Sequence, residues 1–158
     1  MSSPVTREFV AAFFEAFNAR RSTIIEPFLD DDVVWTITGP INLLSFCGQR
    51  RGKAEVMELV DRLVPEVIDV TTFVQDVLLV DGEWAAAHSR VAGIKRGTGR
   101  TISYRLAQFV HFRNDKVVEY RSLIDSFDAA EQVLGRRIDP TQDLDDLGVG
   151  TGTKVFAV

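Results

Sequence analysis

Arg100–Asp125 reads RTISYRLAQFVHFRNDKVVEYRSLID, two apolar runs on either side of the turn-favouring pair Asn114-Asp115. Side chains alternate along a strand, so Ile102, Tyr104, Leu106, Gln108, Val110 and Phe112 share one side. Ser103, Arg105, Ala107, Phe109, His111 and Arg113 fall on the other. Past the turn, Tyr120, Ser122 and Ile124 stand against Arg121, Leu123 and Asp125. The stretch predicts a long antiparallel hairpin with one face for a core or pocket and one mixed face. The rest of the chain must supply helices to cover it and strands to widen it.

Working outward, residues 69–80 (DVTTFVQDVLLV) and 84–94 (WAAAHSRVAGI) are also strand-like, with turn signals at Asp81-Gly82 and Gly97-Thr98-Gly99. Further upstream the pattern is helical. Phe9, Val10, Phe13, Phe14 and Phe17 recur at helix spacing and predict an amphipathic helix over 4–20, with Ser3 as cap and Pro4 in the first turn. Thr23 and Glu26 have capping-box spacing for a short second helix, which Asp30-Asp31-Asp32 should break. Residues 33–38 (VVWTIT) alternate as a strand that Gly39-Pro40 ends. The loop 41–51 is apolar enough that it must cover the core or the mouth of a cavity. Gly52 precedes a third helix, with Val56, Leu59, Val60 and Leu63 as its stripe and Pro65 as its stop. A last helix is expected from Phe127 to Leu134, with Gly135 capping it. Much of 139–153 should be loop. Helices first and a run of strands after make an α+β pattern, not the alternation of a parallel sheet.

The 158 residues suit a single domain, with its core over about 4–130 and a partly irregular tail from 131 to 158. Hydrophobic residues are 46% and charged residues 26%, a globular balance that excludes disorder throughout. A net charge of −5 argues against a nucleic-acid partner, which needs a basic face. The pairs Arg20-Arg21, Arg50-Arg51 and Arg136-Arg137 are scattered and read as solvated surface. Cys47 is the only cysteine, so there is no internal disulfide, and a reducing interior fits. No signal peptide opens the chain and no apolar run is long enough for a membrane helix, so the expectation is a cytoplasmic protein with no membrane partner.

The phenylalanine-rich first helix, DDVVWTITG, RRGKAEV and FRNDKVVEYRSLID together resemble the nuclear transport factor 2-like superfamily, nearest its SnoaL-like and ketosteroid-isomerase-like branches. The resemblance implies a cone: a strongly curved antiparallel or mixed sheet, a cystatin-like roll, covered by the N-terminal helices and enclosing a deep pocket. It also implies a homodimer paired through the outer face of the sheet. Members isomerise steroid ketones, cyclise polyketides, open epoxides or dehydrate; others only bind ligands or proteins. Fold therefore leaves function open.

On that comparison His88 and Arg90, with Trp84, Ala86 and Ala92, face inward. The hairpin adds Tyr104, Leu106 and Gln108 from one strand and Tyr120, Ser122 and Ile124 from the other. Trp35, Ile37 and Phe46 close the far side. The set is mostly apolar with a few polar groups, the usual make-up of a small-molecule site. Arg90 reads either as a surface or structurally paired arginine or as a clamp for an anion or carbonyl. His88 reads as a satisfied core histidine or a general base, its ordinary pKa of about 6.5 suiting proton transfer. Asp125 reads as the cap of the last helix or, by the resemblance, as an acid/base group. Tyr104 or Tyr120 would donate a hydrogen bond. His111 falls on the opposite phase from Gln108 and reads as sheet exterior or dimer interface.

The family's better-known mechanisms do not transfer. The epoxide-hydrolase pattern sets two aspartates about the arginine, but those positions are Ala92 and Ser122 here. Ketosteroid isomerases need a carboxylate base and a helix tyrosine, and the matching positions are Thr36 and Phe13. Two histidines without HxH or HExxH spacing indicate no metal, and no glycine-rich loop joins a strand to a helix for a nucleotide. No cofactor is expected. Three classes remain: a cofactor-independent lyase, isomerase or cyclase acting on a small hydrophobic carbonyl compound; a non-catalytic ligand carrier; and a protein-interaction module.

Overall fold

The computed structural model describes residues 3–142. Its first helix, α1 (Arg7–Asn18), starts three residues later than expected, because the Thr6 hydroxyl accepts from the Phe9 N–H and is the cap. A one-turn α2 (Ser22–Ile25) and a 3-10 turn (Glu26–Phe28) follow; α2 has no side-chain cap, so the expected capping box is not formed. The acidic run does not end this region as a loop. It lies inside β1 (Leu29–Thr38), where the pairing shifts register between Leu29 and Val34 and lets the three aspartates leave the ladder. The apolar loop ends in a short β2 (Gly48–Arg51). Next, α3 (Lys53–Glu58), a π-helical turn (Leu59–Leu63) and α4 (Val64–Val67) follow directly on one another. Pro65 sits in the first turn of α4, where its missing N–H is harmless, rather than closing the helix.

Four strands then run in sequence: β3 (Ile68–Asp81), β4 (Trp84–Lys95), β5 (Thr101–Arg113) and β6 (Lys116–Ile124), before α5 (Ser126–Leu134). The sheet is curved and unclosed, in the order β2-β1-β6-β5-β4-β3. All pairs are antiparallel except β1 with β6, which is parallel and sets Trp35 beside Tyr120 and Ile37 beside Ser122. The hairpin of β5 and β6 forms as expected, with Asn114 and Asp115 both at positive φ in the turn. Gly93 is required where β3 crosses close to β4: a Cβ there would lie 2.4 Å from the Asp69 carbonyl. Gly135 takes the left-handed conformation that ends α5. Most of the loop expected over 139–153 lies outside the described residues.

Phenylalanines hold α1 on the sheet. Phe13 meets Phe28 and Phe112 edge-on at 6.0 and 5.6 Å between ring centres, and Phe9 meets the same two rings. Val10, Phe13, Leu29, Phe112 and Val117 are all buried in this cluster. It fills one end of the cone and leaves the other end hollow.

Candidate ligand cavity

The hollow end encloses about 250 Å³. Drug-sized ligands occupy pockets of roughly 300–1,000 Å³, so this one suits a smaller molecule. Its sheet wall carries Trp35, Ile37, Val91, Tyr104, Leu106, Tyr120, Ser122 and Ile124; Phe46 from the loop, Leu59, Val60 and Val64 from the helical stretch and Phe73 from β3 complete it. All the expected ligand-contacting residues therefore line the cavity except Gln108. Gln108 lies behind the wall, fully buried, where the Ser89 hydroxyl donates to its Oε1 (2.7 Å) and its Nε2 donates to the Tyr120 hydroxyl (2.9 Å). This chain fixes the Tyr120 ring, which stacks on Trp35 at 3.7 Å between centres.

Of the four expected catalytic residues, Tyr104 alone lines the cavity. His88 and Arg90 stand on the outer face of the sheet. The pairing of β4 with β5 sets Val91 opposite Tyr104, Ser89 opposite Leu106 and Ala87 opposite Gln108, so the odd-numbered residues of β4 face inward. Physically this is the cheaper phase, since it buries alanines, serine and valine and leaves a guanidinium and an imidazole in water. His88 Nδ1 pairs with Asp76 at 2.7 Å on that outer surface. The hydrogen bond from His88 holds the Asp76 carboxyl below its usual pKa. Asp125 is exposed at the start of α5, away from the cavity, and makes no side-chain capping bond.

Sequence reasoning missed the charged group that does line the cavity. Arg20, read as solvated surface, follows the C-terminus of α1 at φ 53° and is held over the rings of Phe73 and Phe17, 5.5 and 5.9 Å from their centres. Burial lowers its pKa, and the nearby Tyr104 and Tyr120 work against that shift. Its guanidinium makes no ion pair and no hydrogen bond among the described residues. Burial likewise raises the pKa of both tyrosines, Tyr120 to about 12, so both are neutral donors at physiological pH. The Trp35 indole N–H is buried with no acceptor. A donor left in that state costs roughly 1–3 kcal/mol. Among the described residues the one acid in the lining is Asp69, an exposed residue near the start of β3. No group of three or more His, Cys, Asp or Glu side chains could hold a metal ion among the described residues.

Residues 10–120 match the SnoaL-like domain family. The chain belongs to that family. Among solved structures, this SnoaL-like chain is similar to a candidate isomerase from Rhodopseudomonas palustris, at 34% identity over 81% of this chain and 94% of that one, with a TM-score of 0.69. An NTF2-like protein from Burkholderia thailandensis E264 is 23% identical over 84% and 98% of the two chains, with a TM-score of 0.71. A protein of ketosteroid isomerase-like fold from Catenulispora acidiphila DSM 44928, in complex with trimethylamine, is 12% identical over 84% and 95%, with a TM-score of 0.67. The last two share the fold alone. No curated protein matches the sequence. Among the described residues of this SnoaL-like chain, no helix is long and apolar enough to cross a membrane.

Proposed function

We propose that the cone binds a small, largely apolar carbonyl compound and converts it without a cofactor, by isomerisation, cyclisation or elimination. The observation that carries the reading is a half-buried guanidinium beside a neutral tyrosine in an otherwise apolar cavity. Donors preorganised in a dry site stabilise the negative charge that develops on a carbonyl oxygen as an adjacent proton or bond moves. In this proposal Arg20 and Tyr104 polarise that oxygen, and Trp35, Tyr120, Phe17 and Phe73 hold the apolar body. The similarity to the Rhodopseudomonas palustris candidate isomerase supports the same reaction class.

The test is incubation of the protein with a panel of small cyclic enones, unsaturated ketones and hydroxyketones, followed by NMR. The expected result is an isomerised, cyclised or dehydrated product. Arg20→Met and Tyr104→Phe should each lower kcat/KM about a hundredfold. His88→Ala and Arg90→Ala, both on the outer face, should leave it within about twofold. Unchanged turnover in the Arg20 and Tyr104 variants would overturn the proposal.

One observation favours a second reading, binding without conversion: among the described residues no histidine lines the cavity, and its only acid, Asp69, is exposed. Saturable binding of panel members with every compound recovered unchanged would establish that reading instead.

We further propose that a second copy covers the outer sheet face, where Val74, Val77, Leu79, Trp84, Phe109 and Leu123 are large, apolar and exposed. Monomeric proteins seldom leave so many such side chains together on one surface. The free thiol of Cys47 suits a reducing compartment, and the proposal places the protein in the cytoplasm.

A further inference from the structure

We propose that the molecule held in the cone carries an acidic group, ionised at neutral pH, whose oxygens are taken by the Arg20 guanidinium with the Tyr104 hydroxyl as a further donor. This rests on the small-molecule reading above and narrows it from carbonyl compounds in general to compact organic acids, carboxylates or acidic enols.

The argument is an inventory of donors against acceptors. Arg20 brings a charge and a planar fork of N–H groups, and among the described residues it meets aromatic faces rather than a carboxylate. Ring faces attract the cation but accept few of its hydrogen bonds. Trp35 is 1% exposed, and its N–H, without a partner, is closed off from the hollow and stays out of this inventory. Tyr104 is buried, and its hydroxyl makes no hydrogen bond among the described residues. Two donors, the Arg20 guanidinium and the Tyr104 hydroxyl, therefore line one small cavity, and among the described residues its only acid is exposed. A neutral ketone could accept from both donors through its one oxygen but would leave the charge unbalanced. A carboxylate or enolate supplies several lone pairs and the missing negative charge in a single group.

Arg20 is also held in place by the backbone. Its left-handed conformation turns the chain at the end of α1, a position where glycine is the usual residue. Its guanidinium then lies over Phe17 and Phe73, on the cavity wall rather than in the solvent its neighbour Arg21 occupies. The volume limits the rest of the ligand to a compact body of one or two rings, packed against Trp35, Tyr120 and Phe17.

The probes are matched acid and amide pairs: benzoate and benzamide, 3-phenylpropanoate and 3-phenylpropanamide, 2-naphthoate and 2-naphthamide. Binding is followed by fluorescence of a Trp84→Phe variant, which leaves Trp35 as the reporter, and by calorimetry on the unaltered protein. At least one acid is expected to bind ten times or more tighter than its amide. Arg20→Gln should erase that preference, leaving acid and amide within about twofold of each other, and Tyr104→Phe should weaken the acid by calorimetry more than the amide. Equal binding of acids and amides overturns the charge assignment and leaves the pocket reading standing. A preference that survives Arg20→Gln, with the fold intact by circular dichroism, overturns the role of Arg20. Failure of every probe to bind at millimolar concentration removes the pocket reading and this inference together.

Discussion

Arg20 occupies a backbone conformation that L-residues avoid, at a cost of about 1–2 kcal/mol. Its stacking on Phe17 and Phe73 returns an amount of similar size. Arg20→Gly removes both terms, so the free protein should keep its stability to within about 1 kcal/mol. Ligand-induced stabilisation should vanish in the same variant, because the cavity has lost the only cation that lines it among the described residues. Thermal unfolding with and without a bound probe measures both. Nothing local in the sequence marks this side chain. Arg20-Arg21 looks like any solvated pair, and residue 20 turns inward only because α1 stops two residues earlier. Trp35, Tyr104 and Tyr120 were legible, since strand alternation places large aromatic residues on a buried face whatever the neighbouring elements do.

At the scale of the element, β4 was the strand whose phase could be misread. In WAAAHSRVAGI both alternating sets contain alanine, and the polar members His88 and Arg90 are the ones that resemble chemistry. Hairpin parity carried the missing signal: pairing across Gly97-Thr98-Gly99 matches Val91 with Tyr104, so an inward Tyr104 requires an inward Val91 and an outward Arg90. The same phase buries Ser89 and makes Gln108 a link between β4 and β6. Gln108→Leu breaks both hydrogen bonds and leaves Ser89 Oγ buried without its acceptor. It should destabilise the fold by about 1–3 kcal/mol, read from urea unfolding. Loss of the Tyr120 anchor should also weaken probe binding. On the outer surface, Asp76 has a lowered carboxyl pKa, so its pairing with His88 contributes above the ordinary aspartate pKa and is lost as pH falls through the lowered value. That pair touches stability in acid and has no bearing on the cavity.

For the whole molecule, the two faces of the sheet have separate tasks. The inner face carries the Phe9–Phe13–Phe112 cluster at one end and the hollow at the other, and the outer face is left apolar from β3 across to β6. If a second copy covers that outer face, light scattering should give twice the chain mass. The double variant Phe109→Glu, Leu123→Glu should halve it while probe binding persists. The gross architecture was readable because hydrophobic periodicity reports elements and their order. Cavity chemistry was less so, because it depends on which elements end where and on which strand lies opposite which.

The lone parallel pairing of β1 with β6 bears on how the chain reaches this state. Trp35 emerges early in synthesis, yet the neighbour it stacks upon, Tyr120, is made some eighty residues later. Until then β1 can pair only with the four residues of β2, and the aromatic floor of the hollow does not exist. Such distant closure is entropically slow. The binding compartment is therefore among the last parts of the molecule to acquire its shape, and a nascent chain released before β6 would carry the guanidinium with no chamber for it to serve.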